Sequence, residues 1–136
     1  MDNDTVGALV GHHSHEGVEI LTVRVASIYD AAVIHGLRQQ LNRIVEDSGQ
    51  TRFLLDLSVV RFMSAEALGA LRGLRHLLLR KGAELKLAGI QPGVLEIFRI
   101  SRLGGIYDIC NTVASALEAF QATSAWAESM SCDVEL

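Results

Sequence analysis

The chain has 136 residues, of which 49% are hydrophobic and 21% charged, and its formal net charge is −4. This length fits a single domain, and the apolar content is sufficient for a core, which argues against a disordered chain. An acidic chain without clustered Lys and Arg lacks the charge with which nucleic-acid-binding domains neutralise phosphates, so direct nucleic-acid binding is not expected.

Residues 1–16 are a mixed N-terminal segment in which the apolar run 6–10 predicts an edge strand. The glycine-flanked histidines that follow, His12, His13 and His15, predict a solvated hairpin turn. They do not predict a metal site, because no carboxylate or thiolate at ligand spacing accompanies them. Residues 18–25 are rich in Val, Ile, Leu and Thr and predict a strand.

Two helices and a strand are predicted in the middle of the chain. Apolar residues at three- and four-residue spacing between positions 34 and 45 predict a helix that begins after Asp30. The apolar run 53–57 is typical of a buried strand in a parallel sheet. The clearest helix follows: its start is marked by Ser64 as N-cap and Glu66 in the first turn, and its end by Gly82 after basic residues.

The last third of the chain continues this alternation. Residues 84–88 predict a strand, Pro92 opens a third helix, residues 106–109 predict a short strand, and residues 112–120 a final helix. Residues 121–136 are expected to be a helix extension or an acidic tail. Alternating strands and helices indicate an α/β domain with a mainly parallel sheet.

Several kinds of catalytic or cofactor site have no counterpart in the sequence. The turns 26–30 and 58–64, between strand and helix, contain no glycine, so no phosphate-binding loop is predicted. Cys110 and Cys132 lie far apart without a metal-ligand motif, which also suits a reducing compartment. We therefore predict no catalytic residue, metal or cofactor. No secretory signal or membrane-spanning run is visible, and the expected location is the cytoplasm.

Residues 53–81 resemble the STAS family, the domain of anti-sigma factor antagonists and of sulfate-transporter tails. A buried strand ends in the family's apolar-Asp-Leu-Ser pattern at 53–58 and leads into Ser64-Ala65-Glu66-Ala67-Leu68. Further matches are 84–90, Pro92-Gly93-Val94, 98–103 and 114–117, and Asp30 stands where family members often carry an aspartate. The similarity covers about residues 17–120, which we take as the STAS domain.

The resemblance implies a β-β-α-β-α-β-α-β-α domain whose first strand is antiparallel to an otherwise mostly parallel sheet. It also implies a non-enzymatic protein that binds other proteins. In bacterial partner switching, the unphosphorylated antagonist captures an anti-sigma factor, often a serine kinase, and so releases the sigma factor for transcription. Phosphorylation of a Ser or Thr at the start of the second helix ends the capture.

The chain departs from the family pattern at this phosphorylation site. Switched members usually have Asp-Ser-Ser/Thr-Gly, whereas this chain has Ser64-Ala65-Glu66-Ala67. Ala65 occupies the acceptor position and has no hydroxyl group, so the usual phosphorylation cannot occur there. We expect an antagonist that remains unphosphorylated or a scaffold in a larger signalling assembly.

Three of the candidate contact residues have two interpretations each. Ser64 is an N-cap or a phosphorylation site one position early. Glu66 complements the helix dipole or serves as a fixed negative charge in place of a phosphate, although one carboxylate carries less charge. Asp30 caps the preceding helix or contacts a partner.

The sequence thus predicts a docking surface for an anti-sigma factor, a serine-kinase-like protein or a signalling scaffold. The alternative is a STAS-like module that binds a nucleotide, a lipid-transport partner or another small molecule, and homodimerisation is left open. The predicted partner-binding residues are Asp30, Arg61, Met63, Ser64, Ala65, Glu66, Ala67 and Arg72.

Overall fold

The computed structural model describes residues 8–102 and 104–122. The start of the predicted strand 6–10 and most of the predicted tail 121–136 lie outside these residues. In chain order the elements are β1 (Val10–His15), β2 (Val18–Val23), β3 (Ser27–Ile28), α1 (Ala31–Asp47), β4 (Arg52–Asp56), β5 (Phe62–Met63), α2 (Ala65–Arg80), β6 (Glu84–Ala88), α3 (Pro92–Ile100), a 3-10 turn (Gly104–Ile106), β7 (Asp108–Cys110) and α4 (residues 113–122).

Five of the strands form the main sheet, in the order β1-β2-β4-β6-β7. β1 pairs antiparallel with β2, and the other neighbours pair in parallel, with Leu21, Leu55 and Leu87 in register across the centre. The predicted mixed, mostly parallel sheet with flanking helices is therefore confirmed.

The two faces of this sheet are covered unequally. One face carries α1, α2 and α3 over the larger core, which includes Leu21, Phe53 and Leu55 of the sheet. α4 covers the other face, where Phe120 packs into a smaller cluster with Leu54 and Ala88. Three successive β-α-β connections on one face are what right-handed crossovers between neighbouring parallel strands produce.

The histidine segment is a strand, so its prediction as a turn is wrong. All six residues of β1 are in register with β2, and the connecting turn is Glu16-Gly17. Both turn residues have positive φ, 53° and 81°, the conformation of the tightest hairpin turns. The polar composition of residues 12–15 concealed the strand because an edge strand needs few apolar side chains.

The last strand is displaced from its predicted position. β7 covers Asp108–Cys110, whereas the apolar pattern placed it at 106–109. The 3-10 turn Gly104–Ile106 precedes it and includes Ile106, the residue predicted to start the strand. A tight turn through two glycines therefore delays the strand by two residues.

Candidate functional site

A second, very short sheet joins the starts of the first two helices. β3 pairs in parallel with β5, and Ser27 and Ile28 are in register with Phe62 and Met63. The amide of Ser64 donates to the carbonyl of Ile28 over 2.9 Å. The turns that open α1 and α2 are thereby held side by side at the end of the molecule beyond β4.

The loop between β4 and β5 is fixed before it reaches this short sheet. Asp56 Oδ1 accepts a hydrogen bond from the Ser58 amide at 3.0 Å, and the Gln91 side chain donates to the Ser58 carbonyl at 2.6 Å. Gly89 has φ +72°, and a Cβ there would lie 3.0 Å from Ser58 Cβ. The close approach of the Gly89 backbone therefore helps to set the path of the chain into β5.

Asp30 caps α1. Its Oδ1 accepts from the Ala32 amide at 2.8 Å, and its backbone carbonyl accepts from the Ile34 amide at 2.9 Å. The capping interpretation of Asp30 is thus confirmed. Asp30 is exposed, so this carboxylate also reaches the surface.

Ser64 caps α2 in the same way. Its Oγ accepts from the Ala67 amide at 3.2 Å, and the side chain is half-buried. Ala65 and Glu66 follow on the exposed side of the first turn. Ala65, which the resemblance assigns to the acceptor position, is therefore exposed but carries only a methyl group.

Two of the predicted contact residues are core residues. Met63 is 1% exposed and Ala67 is 0% exposed, and both pack in the larger core. Met63 alternates inward on the short strand, and Ala67 faces inward on the first turn of α2. Neither side chain reaches the surface in this structure, so the exposed part of the predicted contact set does not include these two positions.

The two predicted arginines are exposed but lie at different distances from the turn. Arg61 directly precedes β5, and its amide donates to the Ala26 carbonyl at 2.7 Å. Arg72 lies eight residues after Ser64 along α2, about 12 Å at the helical rise. The structure therefore brings Arg61 to the turn and places Arg72 at the periphery.

An exposed aromatic pair lies on the short sheet, and sequence reasoning missed it. Tyr29 is 62% exposed and Phe62 is 47% exposed. Their ring centroids are 6.1 Å apart in an edge-to-face arrangement. Phe62 alternates with the buried Met63 within β5, and Tyr29 directly follows the buried Ile28 at the end of β3. That alternation was the available signal, but it required knowing that both segments are strands.

A shallow groove separates the starts of α1 and α2 beside this pair. It encloses ≈ 260 Å³ and is lined by Ala31, Ile34, His35, Arg38 and Glu66. Glu66 thus faces a groove that also contains a guanidinium group and an imidazole. We name the exposed side chains of Tyr29, Asp30, Arg61, Phe62, Ala65 and Glu66 the helix-start surface.

Within residues 8–102 and 104–122, no helix is long and apolar enough to span a bilayer. The same residues contain no group of three or more His, Cys, Asp or Glu side chains arranged to hold a metal ion.

The helix-start surface itself consists of aromatic, charged and methyl groups. It presents groups suited to contact another molecule by shape and charge.

Comparison with known proteins agrees with this architecture. The model of the STAS domain family matches residues 13–116. The anti-sigma F factor antagonist of Paenibacillus polymyxa is 26% identical over 110 residues, which cover 81% of this chain and 92% of that protein.

Solved structures show the same fold. An anti-sigma factor antagonist from Mycobacterium paratuberculosis superposes with a TM-score of 0.71 at 23% identity, covering 81% of this chain and 91% of that one. The phosphorylated form of the Bacillus cell fate determinant SpoIIAA superposes with a TM-score of 0.60 at 14% identity, covering 82% and 98%. At these identities the superpositions establish the fold.

Proposed function

Since the chain belongs to the STAS domain family, we propose that it is a regulator of the anti-sigma factor antagonist type, which docks a protein partner through the helix-start surface. The partner class is an anti-sigma factor or a related serine-kinase-like protein. Docking of this kind requires no chemistry by the chain itself. The similarity to the Paenibacillus polymyxa antagonist over most of both chains supports this assignment.

The exposed Tyr29–Phe62 pair is the observation that carries the proposal. Adjacent exposed aromatic side chains form an apolar patch, and such patches and aromatic anchors are typical of binding surfaces. The backbone beside both residues is fixed, because β3 and β5 pair through backbone hydrogen bonds and their neighbours Ile28 and Met63 are buried. A preorganised apolar centre loses little conformational entropy when a partner covers it.

Charged groups surround this apolar centre. Asp30 and Glu66 lie at the two helix starts, and Arg61 precedes Phe62. An aromatic centre within a charged rim is the usual anatomy of a protein interface. The adjacent groove of ≈ 260 Å³ lies below the range of about 300–1,000 Å³ typical of small-molecule sites, so a protein partner is favoured over a ligand there.

We further propose that docking is not switched by the usual phosphorylation. Ala65 has no oxygen to accept a phosphoryl group, and the Ser64 oxygen already accepts the Ala67 amide as a helix cap. Glu66 provides one permanent negative charge on the same turn. The complex would then be controlled by the amount of each protein or by a further partner.

A binding experiment tests the docking surface. The full chain is titrated by calorimetry with purified serine-kinase-like anti-sigma factors encoded in the same genome. We expect one of them to bind, and Tyr29→Ala with Phe62→Ala to weaken binding by at least about tenfold, since hot-spot truncations cost roughly 2 kcal/mol or more. Ile100→Ala, which removes an exposed apolar side chain on α3, is the matched control and should bind normally. Equal affinity of the double variant and the unmodified chain would refute the surface.

A further inference from the structure

A second groove lies at the opposite end of the sheet from the helix-start surface. Glu19 is near the start of β2 and in register with Phe53 near the start of β4, whereas the helix-start surface lies beyond the end of β4. The groove encloses ≈ 690 Å³ between the β1–β2 hairpin and the end of α1. Its lining includes His12, Glu19, Arg43, Asp47 and Ser48.

The floor of this groove holds a buried carboxylate. Glu19 is 6% exposed and receives hydrogen bonds from the Ser14 hydroxyl at 2.9 Å and the Ser48 hydroxyl at 3.4 Å on Oε1. Burial alone would raise the pKa of Glu19. The hydrogen bonds from His12, Ser14 and Ser48 and the charge of His12 outweigh burial, so this pKa lies below its ordinary value. Glu19 is therefore a carboxylate at neutral pH.

This carboxylate fixes the orientation and the tautomer of His12. The distance between His12 Nδ1 and Glu19 Oε2 is 2.7 Å. Because an ionised carboxylate only accepts hydrogen bonds, Nδ1 must carry the proton, and a neutral ring then presents its lone pair on Nε2. A carboxylate bound to Nδ1–H makes Nε2 more electron-rich. The His12 side chain is 51% exposed, so reagents can reach the ring.

The neighbouring histidines provide an internal comparison. His13 lines the same groove as His12, His15 lies further along the same strand, and both are exposed. The ring of His15 approaches the exposed Glu16 carboxylate through Nε2, at 3.8 Å, and not through Nδ1. Of these three rings, His12 alone is held by a buried carboxylate on Nδ1.

We propose that His12 is a modification site whose Nε2 accepts a phosphoryl group from a donor with a phosphorus–nitrogen bond. The Nε2 lone pair attacks phosphorus of a donor whose nitrogen is already protonated, the phosphorus–nitrogen bond breaks, and the nitrogen leaves with that electron pair as a neutral amine. The Nδ1 proton stays between the ring and Glu19, whose negative charge offsets the positive charge of the phosphorylated ring. Arg43 lines the same groove and supplies a cation for the phosphoryl oxygens. Asp47 also lines the groove, and its negative charge opposes the binding of an anion.

This site is independent of the helix-start surface, so either proposal can fail without the other. A neutral probe first tests the reactivity of Nε2. The full chain is treated with limiting diethyl pyrocarbonate at pH 8, and modification is mapped by peptide mass spectrometry. We expect His12 to react several-fold faster than His13 within the same molecules, and Glu19→Gln to remove that difference. Equal reaction rates for His12 and His13 in the unmodified chain would overturn the proposal. This outcome does not depend on whether a variant folds.

An anionic donor then tests the phosphoryl step. Phosphoramidate should form an acid-labile phosphoryl adduct on His12 before it forms one on His13. In His12→Gln, this early phosphoryl adduct should be absent. Arg43→Gln should slow labelling by phosphoramidate but leave the reaction of His12 with the neutral reagent unchanged. Labelling without preference for His12, or labelling at full rate in Arg43→Gln, would overturn the assignment of this groove as a phosphoryl-accepting site.

Discussion

The amide of Ser64 donates a hydrogen bond of 2.9 Å to the carbonyl of Ile28. This hydrogen bond connects Ser64, the N-cap of α2, to β3, the short strand that precedes the N-cap of α1. The exposed aromatic pair and the two helix starts therefore form one surface, because the segments between them are fixed to each other through their backbones.

The Ser64 cap makes a prediction about stability. Ser64→Ala removes the oxygen that accepts the Ala67 amide, so we expect a loss of about 1 kcal/mol in the free energy of unfolding. Ser64→Asp preserves a cap acceptor and should recover most of the loss. Urea denaturation followed by circular dichroism measures both. An unchanged midpoint in Ser64→Ala would show that the cap contributes nothing.

Two glycines with the same backbone conformation, Gly82 and Gly89, should differ in how much an alanine substitution destabilises the fold. Gly82 and Gly89 both have φ +72°, so alanine at either costs about 1–2 kcal/mol in backbone strain. Only at Gly89 would the new Cβ also lie 3.0 Å from Ser58 Cβ, whereas nothing lies within 4 Å at Gly82. Gly89→Ala should therefore be the more destabilising of the two in thermal unfolding, and equal losses would contradict the close approach.

Ala65 predicts a gain of function. Ala65→Ser restores a hydroxyl on an exposed first-turn residue, where a helix N-terminus tolerates a phosphate. With a cognate serine kinase and ATP, we expect phosphate on the introduced hydroxyl of the Ala65→Ser variant and no phosphate on the unmodified chain. Peptide mass spectrometry locates the modification. Stoichiometric phosphate on Ser64 of the unmodified chain would contradict the proposal that this chain is not switched by phosphorylation.

Glu19 predicts the pH dependence of stability. Its pKa is lowered in the folded chain from a reference of 4.5, so its contribution is present above that pH and is lost as pH falls through the folded value. Glu19→Gln cannot ionise and should show a smaller loss of stability between neutral pH and about pH 3. Denaturation midpoints across this range provide the measurement. Parallel profiles for the two chains would contradict the assignment.

The sequence predicted the elements that depend on local signals. The helix after Asp30 and the helix after Ser64 were recognisable because apolar spacing and capping residues act within a few positions of each other. The mixed sheet followed from the resemblance and the alternation of elements. The cap acceptors Asp30 and Ser64 are where the residue types indicated.

The sequence could not predict the features that depend on long-range pairing. β3 and β5 have two residues each, too few for any periodicity, and they become strands only because residues 27–28 and 62–63 meet in the fold. The burial of Met63 and the exposure of Phe62 follow from that pairing. Glu19 and Ser48 are likewise 29 positions apart, so their contact at the base of the groove has no local signal.

Mapping the partner on the chain tests the central claim most directly. The isotope-labelled chain is titrated with the serine-kinase-like anti-sigma factor that binds in calorimetry, and backbone amide signals are followed by NMR. The account predicts that the largest perturbations fall on residues 27–30 and 61–66, with those lining the groove at Glu19 unchanged. Perturbations confined to that groove or to α3, with the aromatic pair still free, would contradict it.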